Sequence, residues 1–193
     1  PFDLAFTAAS TIKQKYSKID MLLVGYTSAS AYPQCFNLSM DEKLKEKEKL
    51  QKIFLEKTEN YVNLLEPKYF MPFAGRYTLG GKLSVLNDLR GVTQLDSAYT
   101  YFINSKKINQ EKSKCIVLNP NSSFDTKTSE LSEPYQKIDE RKKQEYIDNV
   151  LAKRKLDYEL DEYPAIQEIK SLLKKSYGRF EEKRKELRFT SDT

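Results

Sequence analysis

Apolar positions along the chain change period several times, and each change marks an element. Pro1 to Ala9 is apolar without clean alternation, which fits either a strand or the run into a short helix; Ser10 to Lys18 continues as polar helix or loop. Ile19-Asp20-Met21-Leu22-Leu23-Val24-Gly25-Tyr26 is a short, nearly continuous apolar run. That pattern predicts a strand buried on both faces, as in α/β sheets. The small-residue loop Thr27–Pro33 follows, at the strand end where α/β proteins hold ligands.

Ser39 with Glu42 has the spacing of a capping box. Beyond it Leu50, Ile53, Phe54, Tyr61, Leu64 and Leu65 share one stripe, with Lys and Glu opposite, so a helix is predicted up to Leu65, stopped by Pro67. A second strand is expected at Lys68–Phe73, ending in the loop Ala74-Gly75-Arg76-Tyr77 and the pair Gly80-Gly81. Thr93 with Asp96 is another capping pattern, and Leu95, Ala98, Tyr99 and Phe102 fall at helical spacing, giving a helix over 94–105. Lys114–Pro120 reads as a third short strand closed by a turn, and Asn121–Glu133, rich in Ser and Thr, as a loop.

Past Pro134 the pattern becomes strongly charged and helical. Tyr135–Leu156 is one helical stretch; Pro164 then suits a first helical position, with Ile166, Ile169, Leu173, Tyr177 and Phe180 on one face after it. The organisation expected is an α/β portion over residues 1–133 and a helical extension over 134–193 packing on it. The chain opens at Pro1 as though already inside a structured region, and its natural start is expected upstream.

Charge adds little to this picture. Residues 1–133 hold 18 of the 33 basic and 15 of the 28 acidic residues, leaving 15 and 13 to the remainder, so the excess of +5 is spread evenly. A nucleic-acid protein gathers its positive charge on one face; none is expected as a partner here. Thirteen Tyr and ten Phe argue against disorder. No apolar run approaches the length of a membrane span and no signal peptide is visible, so no membrane partner is expected. Cys35 and Cys115 lie too far apart for a metal motif and read as free thiols of a cytoplasmic protein.

The absence of histidine changes more. It removes Ser-His-Asp and Cys-His centres and the commonest nitrogen ligand for zinc, iron or copper. Gly80-Gly81-Lys82 lacks the spacing of a phosphate loop, and Asp20, Asp88 and Asp125 are scattered. The most site-like groups stand at the ends of the first two strands: Ser28, Ser30, Tyr32 and Gln34, then Arg76 and Tyr77. Adjacent parallel strands would gather these hydroxyl and guanidinium donors around an anionic or polyhydroxy ligand; ordinary loop hydrogen bonding is the alternative.

Two segments carry a resemblance. "IDMLLVGYTSASAYPQCF" (19–36) and "EPKYFMPFAGRY" (66–77) resemble the C-terminal half of metallo-β-lactamase-fold hydrolases, nearest to the branch with CMP-N-acetylneuraminate hydroxylase-like and other sugar-related proteins. The likeness covers residues 1–105. It implies half of an αββα sandwich, whose partner half carries an H-x-H-x-D-H metal motif that this chain lacks. It further implies Arg76, Tyr77 and Asn87, with Tyr32 from the first loop, as substrate-binding residues for a small polar or anionic molecule of the sugar-phosphate or nucleotide-sugar type. No metal ligand is expected in this chain; zinc or iron would belong to the full-length parent. Alone, the chain is expected to be inactive, and its exposed sheet to be covered by a complementing N-terminal half or by a homodimer. The second expectation is a non-catalytic interaction or dimerisation domain.

Overall fold

The computed structural model describes residues 2–187, with side chains from Leu4 onward. The chain divides into two compact units, residues 1–154 and 155–193. The boundary thus falls after Arg154, and the charged stretch that follows Pro134 belongs largely to the first unit.

The first unit is mixed α/β. Its N-terminus forms one helix, α1 (Phe2–Lys15), which lies along α2 (Met40–Leu65). Ala9 is buried and the Phe6 ring sits 6.0 Å from that of Tyr61, so the irregular apolar spacing at the start of the chain is a helix with one face on a neighbour. Three strands, β1 (Met21–Val24), β2 (Tyr69–Pro72) and β3 (Lys114–Cys115), form a parallel sheet in the order 1-2-3. Met21 pairs with Tyr69 and Val24 with Pro72, and Tyr69 with Lys114. Parallel neighbours need long crossovers. The first is α2; the second contains a 3-10 helix (Gly81–Leu89) and α3 (Leu95–Ile103).

The capping box at α2 forms as the sequence predicts: Glu42 N–H donates to Ser39 Oγ at 3.3 Å and Ser39 N–H to Glu42 Oε2 at 2.8 Å. Glu66 closes the helix in the left-handed region at φ 44, just before Pro67. At α3 the expected cap does not form. Gln94 occupies the N-cap without a side-chain bond; Asp96 instead accepts from Tyr135 Oη and the Ile138 amide, which ties the following segment to α3.

One sheet face is covered. Leu55 and Val62 of α2, Ala98 and Phe102 of α3, and Val24, Phe70 and Cys115 of the sheet form a single cluster with Tyr26 and Ile108; Phe70 and Phe102 meet edge-on at 5.7 Å. The opposite face is only partly covered. Tyr69 packs on Phe124 of a hairpin, β4 (Phe124–Asp125) and β5 (Glu130–Leu131), formed where a loop was expected. Leu23 and Phe73 remain 52% exposed. So β1 is not buried on both faces: a continuous apolar run fills a strand whose second face the described residues leave partly open. The helical stretch after Pro134 is shorter than its pattern suggested, α4 (Glu140–Tyr146) followed by a π-helical turn to Leu151 that buries Ile147.

The second unit holds a 3-10 turn (Asp157–Glu159) and α5 (Ile166–Glu186), which starts two residues beyond Pro164. None of its described residues is buried.

Candidate functional site

Because β1 and β2 run parallel, their C-terminal ends open to the same side. The Phe73 amide donates to the Val24 carbonyl at 2.9 Å and carries the pairing past the strands. The β2 loop then passes directly over the β1 loop. Gly75 has φ +88, and a Cβ there would lie 2.7 Å from the Thr27 carbonyl oxygen; only glycine permits both the backbone and the approach. Thr27 in turn accepts from the Thr93 amide at 3.0 Å, bringing the entry to α3 to the same place.

The two loops are joined by side chains. Tyr77 Oη donates to the Ser30 carbonyl at 2.6 Å, and buried Gln34 donates from Nε2 to that carbonyl at 2.8 Å and to Tyr77 Oη at 2.7 Å. Burial raises the Tyr77 phenol, with the Gln34 bond acting the other way. Its hydroxyl is engaged by the opposite loop, and the ring is what it offers to the surroundings.

Beside this junction lies a cavity of about 340 Å³, lined by Arg76, Tyr77, Thr78, Arg90, Val92, Gln94 and Lys143. Three of these are cationic and none is acidic. Arg90, 6% exposed, donates from Nε to the Asn87 carbonyl at 2.8 Å and lies over the Tyr77 ring at 5.3 Å. Burial lowers its pKa, Arg76 adds to that, and Tyr77 and Asp88 oppose it; a guanidinium stays charged in such surroundings. Arg76 Nη2 and Lys143 Nζ both donate to Gln94 Oε1, at 3.2 and 3.0 Å, and Lys143 also pairs with Glu140 at 2.8 Å. Two cations thus share one neutral amide oxygen. Nearby, burial pushes the Tyr26 phenol up to about 12, opposed by Arg76 and helped by Asp96. The buried Thr93 Oγ1 and Gln34 Oε1 meet no hydrogen-bond partner among the described residues.

Of the four residues expected to contact substrate, Arg76 and Tyr77 line this cavity. Asn87, in the 3-10 helix, is not among the lining residues. Its side chain clamps the Leu79 backbone from both sides, accepting at 2.9 Å and donating at 3.0 Å, while its carbonyl holds Arg90. Tyr32 is not among the lining residues. Its ring packs edge-on to Phe36 at 5.1 Å, and its hydroxyl is raised by desolvation first and then by a hydrogen bond to Glu46 of α2. Arg90, Gln94 and Lys143 escape a reading of the sequence. Arg90 is a lone arginine before Gly91, and Lys143 stands in a charged run that reads as a solvated face.

The arrangement is suited to binding and orienting an anion. The lining residues offer no carboxylate base and no thiol. The chain has no histidine, and among the described residues no three of Cys, Asp and Glu come together as a ligand set. Comparison of the chain with protein-family models, with curated proteins and with solved structures finds no match.

Proposed function

We propose that this chain is the C-terminal portion of a metal-dependent hydrolase of the metallo-β-lactamase fold, acting on a substrate of the sugar-phosphate or nucleotide-sugar type. The metal and its activated water belong, on this reading, to the complementing N-terminal half, and this portion supplies part of the substrate-binding rim. The observation that carries it is the junction of the two resemblance segments. The "AYPQCF" and "PFAGRY" loops meet through Gln34, Tyr77 and Ser30 at the ends of parallel strands, beside a cavity lined by three cations. The open sheet face at Leu23 and Phe73 agrees with a second half-sandwich packing there. The experiment is metal analysis by mass spectrometry, run on this chain and on one extended upstream. The expected result is no stoichiometric metal on this chain and a histidine-held metal on the extended one. One zinc or iron bound tightly by this chain's own residues would sink the proposal.

A second reading, an interaction or dimerisation domain, is favoured by the same open face and by the exposed apolar stripe of α5. Light scattering that showed a monomer at all concentrations would count against it.

A further inference from the structure

The cavity allows a choice between the two substrate types just named, and the choice rests on that reading. Three features bear on it. The first is a buried cation with no carboxylate hydrogen-bonded to it. Arg90 is nearly buried, and among the described residues its side chain donates to a backbone carbonyl, with Asp88 acting on it only through its charge; a charge withdrawn from water is costly unless an opposite charge meets it. The second is the shared acceptor. Arg76 and Lys143 converge on Gln94 Oε1, a neutral oxygen where an anionic one would satisfy both cations better. Glu140 on Lys143, Asp88 near Arg90 and Asp96 near Tyr26 are the acidic groups around the cluster, and none of them lines the cavity. The third is size and lining. At about 340 Å³ the space lies at the lower end of ligand pockets, which run from roughly 300 to 1,000 Å³. Tyr77 is the one aromatic among its described lining residues, and Arg90 is stacked on it. A nucleobase would find no second ring to lie on.

We infer that this cavity seats the phosphoryl group of a small sugar monophosphate, with Arg76, Arg90 and Lys143 as its cationic contacts and the phosphate displacing Gln94 Oε1 as the shared acceptor. Lys143 comes from α4, outside the segment that carries the family resemblance, so the stretch after Pro134 becomes part of the binding site. The two arginines present flat forks that match phosphate oxygens in pairs; the lysine acts as a point charge. A phosphomonoester takes its second charge near pH 6, so affinity rises through that pH.

The test is calorimetric titration of the 193-residue chain with hexose 6-phosphate, inorganic phosphate, UDP-hexose, glucuronate and neutral hexose at pH 5.5 and 7.5. Hexose 6-phosphate should bind best, gain at least threefold at the higher pH, and lose at least tenfold in Lys143→Met and Arg76→Met. Arg76 is exposed and Lys143 partly buried, and both variants are expected to stay folded, with a thermal midpoint close to that of the parent; Gln94→Glu, which puts a fixed negative charge beside the same two cations, should abolish binding. Equal binding of neutral hexose, or the same pH dependence for glucuronate, would overturn the phosphoryl assignment. Tighter binding of UDP-hexose, lost in the same variants, would overturn the size argument and leave the broader proposal standing. Absence of binding by every phosphorylated probe would overturn both.

Discussion

Two helices of this chain carry the same kind of pattern and have opposite surroundings. In α2, apolar residues recur at helical spacing among Lys and Glu; Leu55, Val62 and Leu65 are buried, the first two in the cluster with the sheet. In α5, Ile166, Ile169, Leu173, Tyr177 and Phe180 recur the same way among Lys, Arg and Glu, and all five are 41–70% exposed. Periodicity specifies that a helix will have an apolar face. It does not specify what covers that face. In α2 the cover is supplied by a sheet whose strands come from the same unit; in α5 none of the described residues of its own unit supplies one.

The contrast is broken hardest at Leu55. It sits in the cluster with Phe70 and Phe102, so Leu55→Ala should remove about 2–5 kcal/mol through lost burial and the cavity left behind. Urea unfolding followed by circular dichroism would measure it. A cost below 1 kcal/mol would mean that α2 is no better anchored than α5.

The same contrast explains what the sequence made legible. The strand-helix-strand order and the α2 start were readable because their signals are local: a short apolar run, a Ser39–Glu42 pair, a proline after Leu65. The single helix at the N-terminus was not, because its face is defined by α2 and Tyr61 and not by its own period. The failed cap at Thr93 has the same cause. Asp96 has a distant claimant, Tyr135, and Thr27 takes the Thr93 amide. At the candidate cavity, the position of Arg76 and Tyr77 follows from their place after a strand, whereas Arg90 and Lys143 reach it by way of a 3-10 helix and α4, which no spacing in the sequence connects. Tyr32, chosen from its loop, turns instead to Phe36 and Glu46.

Burial in the first unit also has a chemical signature. The Cys115 thiol in β3 is pushed from an ordinary 9.0 up to about 12 by desolvation. In the unfolded chain the thiol ionises above pH 9; in the folded one it stays protonated, so the folded state holds the extra proton across that window. Stability is therefore full below pH 9 and falls as pH rises toward 12, by on the order of 1 kcal/mol for each pH step in that window from this thiol. Comparing urea midpoints at pH 8 and pH 10 for the parent and for Cys115→Ala isolates the effect, which the variant should lack. Exposed Cys35 provides the internal control: it should react with a thiol reagent in the native protein at pH 8 while Cys115 does not. Equal reaction of both thiols would show that the β3 edge opens readily.

The smallest expected effect is the most telling about α5. Leu173 is 64% exposed, so Leu173→Ala removes little buried surface and leaves no cavity. A surface change of this kind stays within about 0.5 kcal/mol, and alanine has the higher helix propensity, so in an unaccompanied helix the substitution should leave helicity equal or slightly raised. That is opposite in sign to Leu55→Ala, from the same chemical change in the same kind of pattern. Most of the stability of a helix in a protein comes from packing of its apolar face, which makes the helicity of α5 a reporter of any cover. If copies of the chain, or another segment, pack on the stripe formed by Ile166, Leu173 and Phe180, then Leu173→Ala will lower helicity, and the loss will shrink as protein concentration rises. Circular dichroism of the parent and the variant over a hundredfold range of concentration separates the two cases. A concentration-independent gain leaves α5 without a self-made partner, and a concentration-dependent loss makes α5 the counterpart of α2, with its covering surface on another molecule.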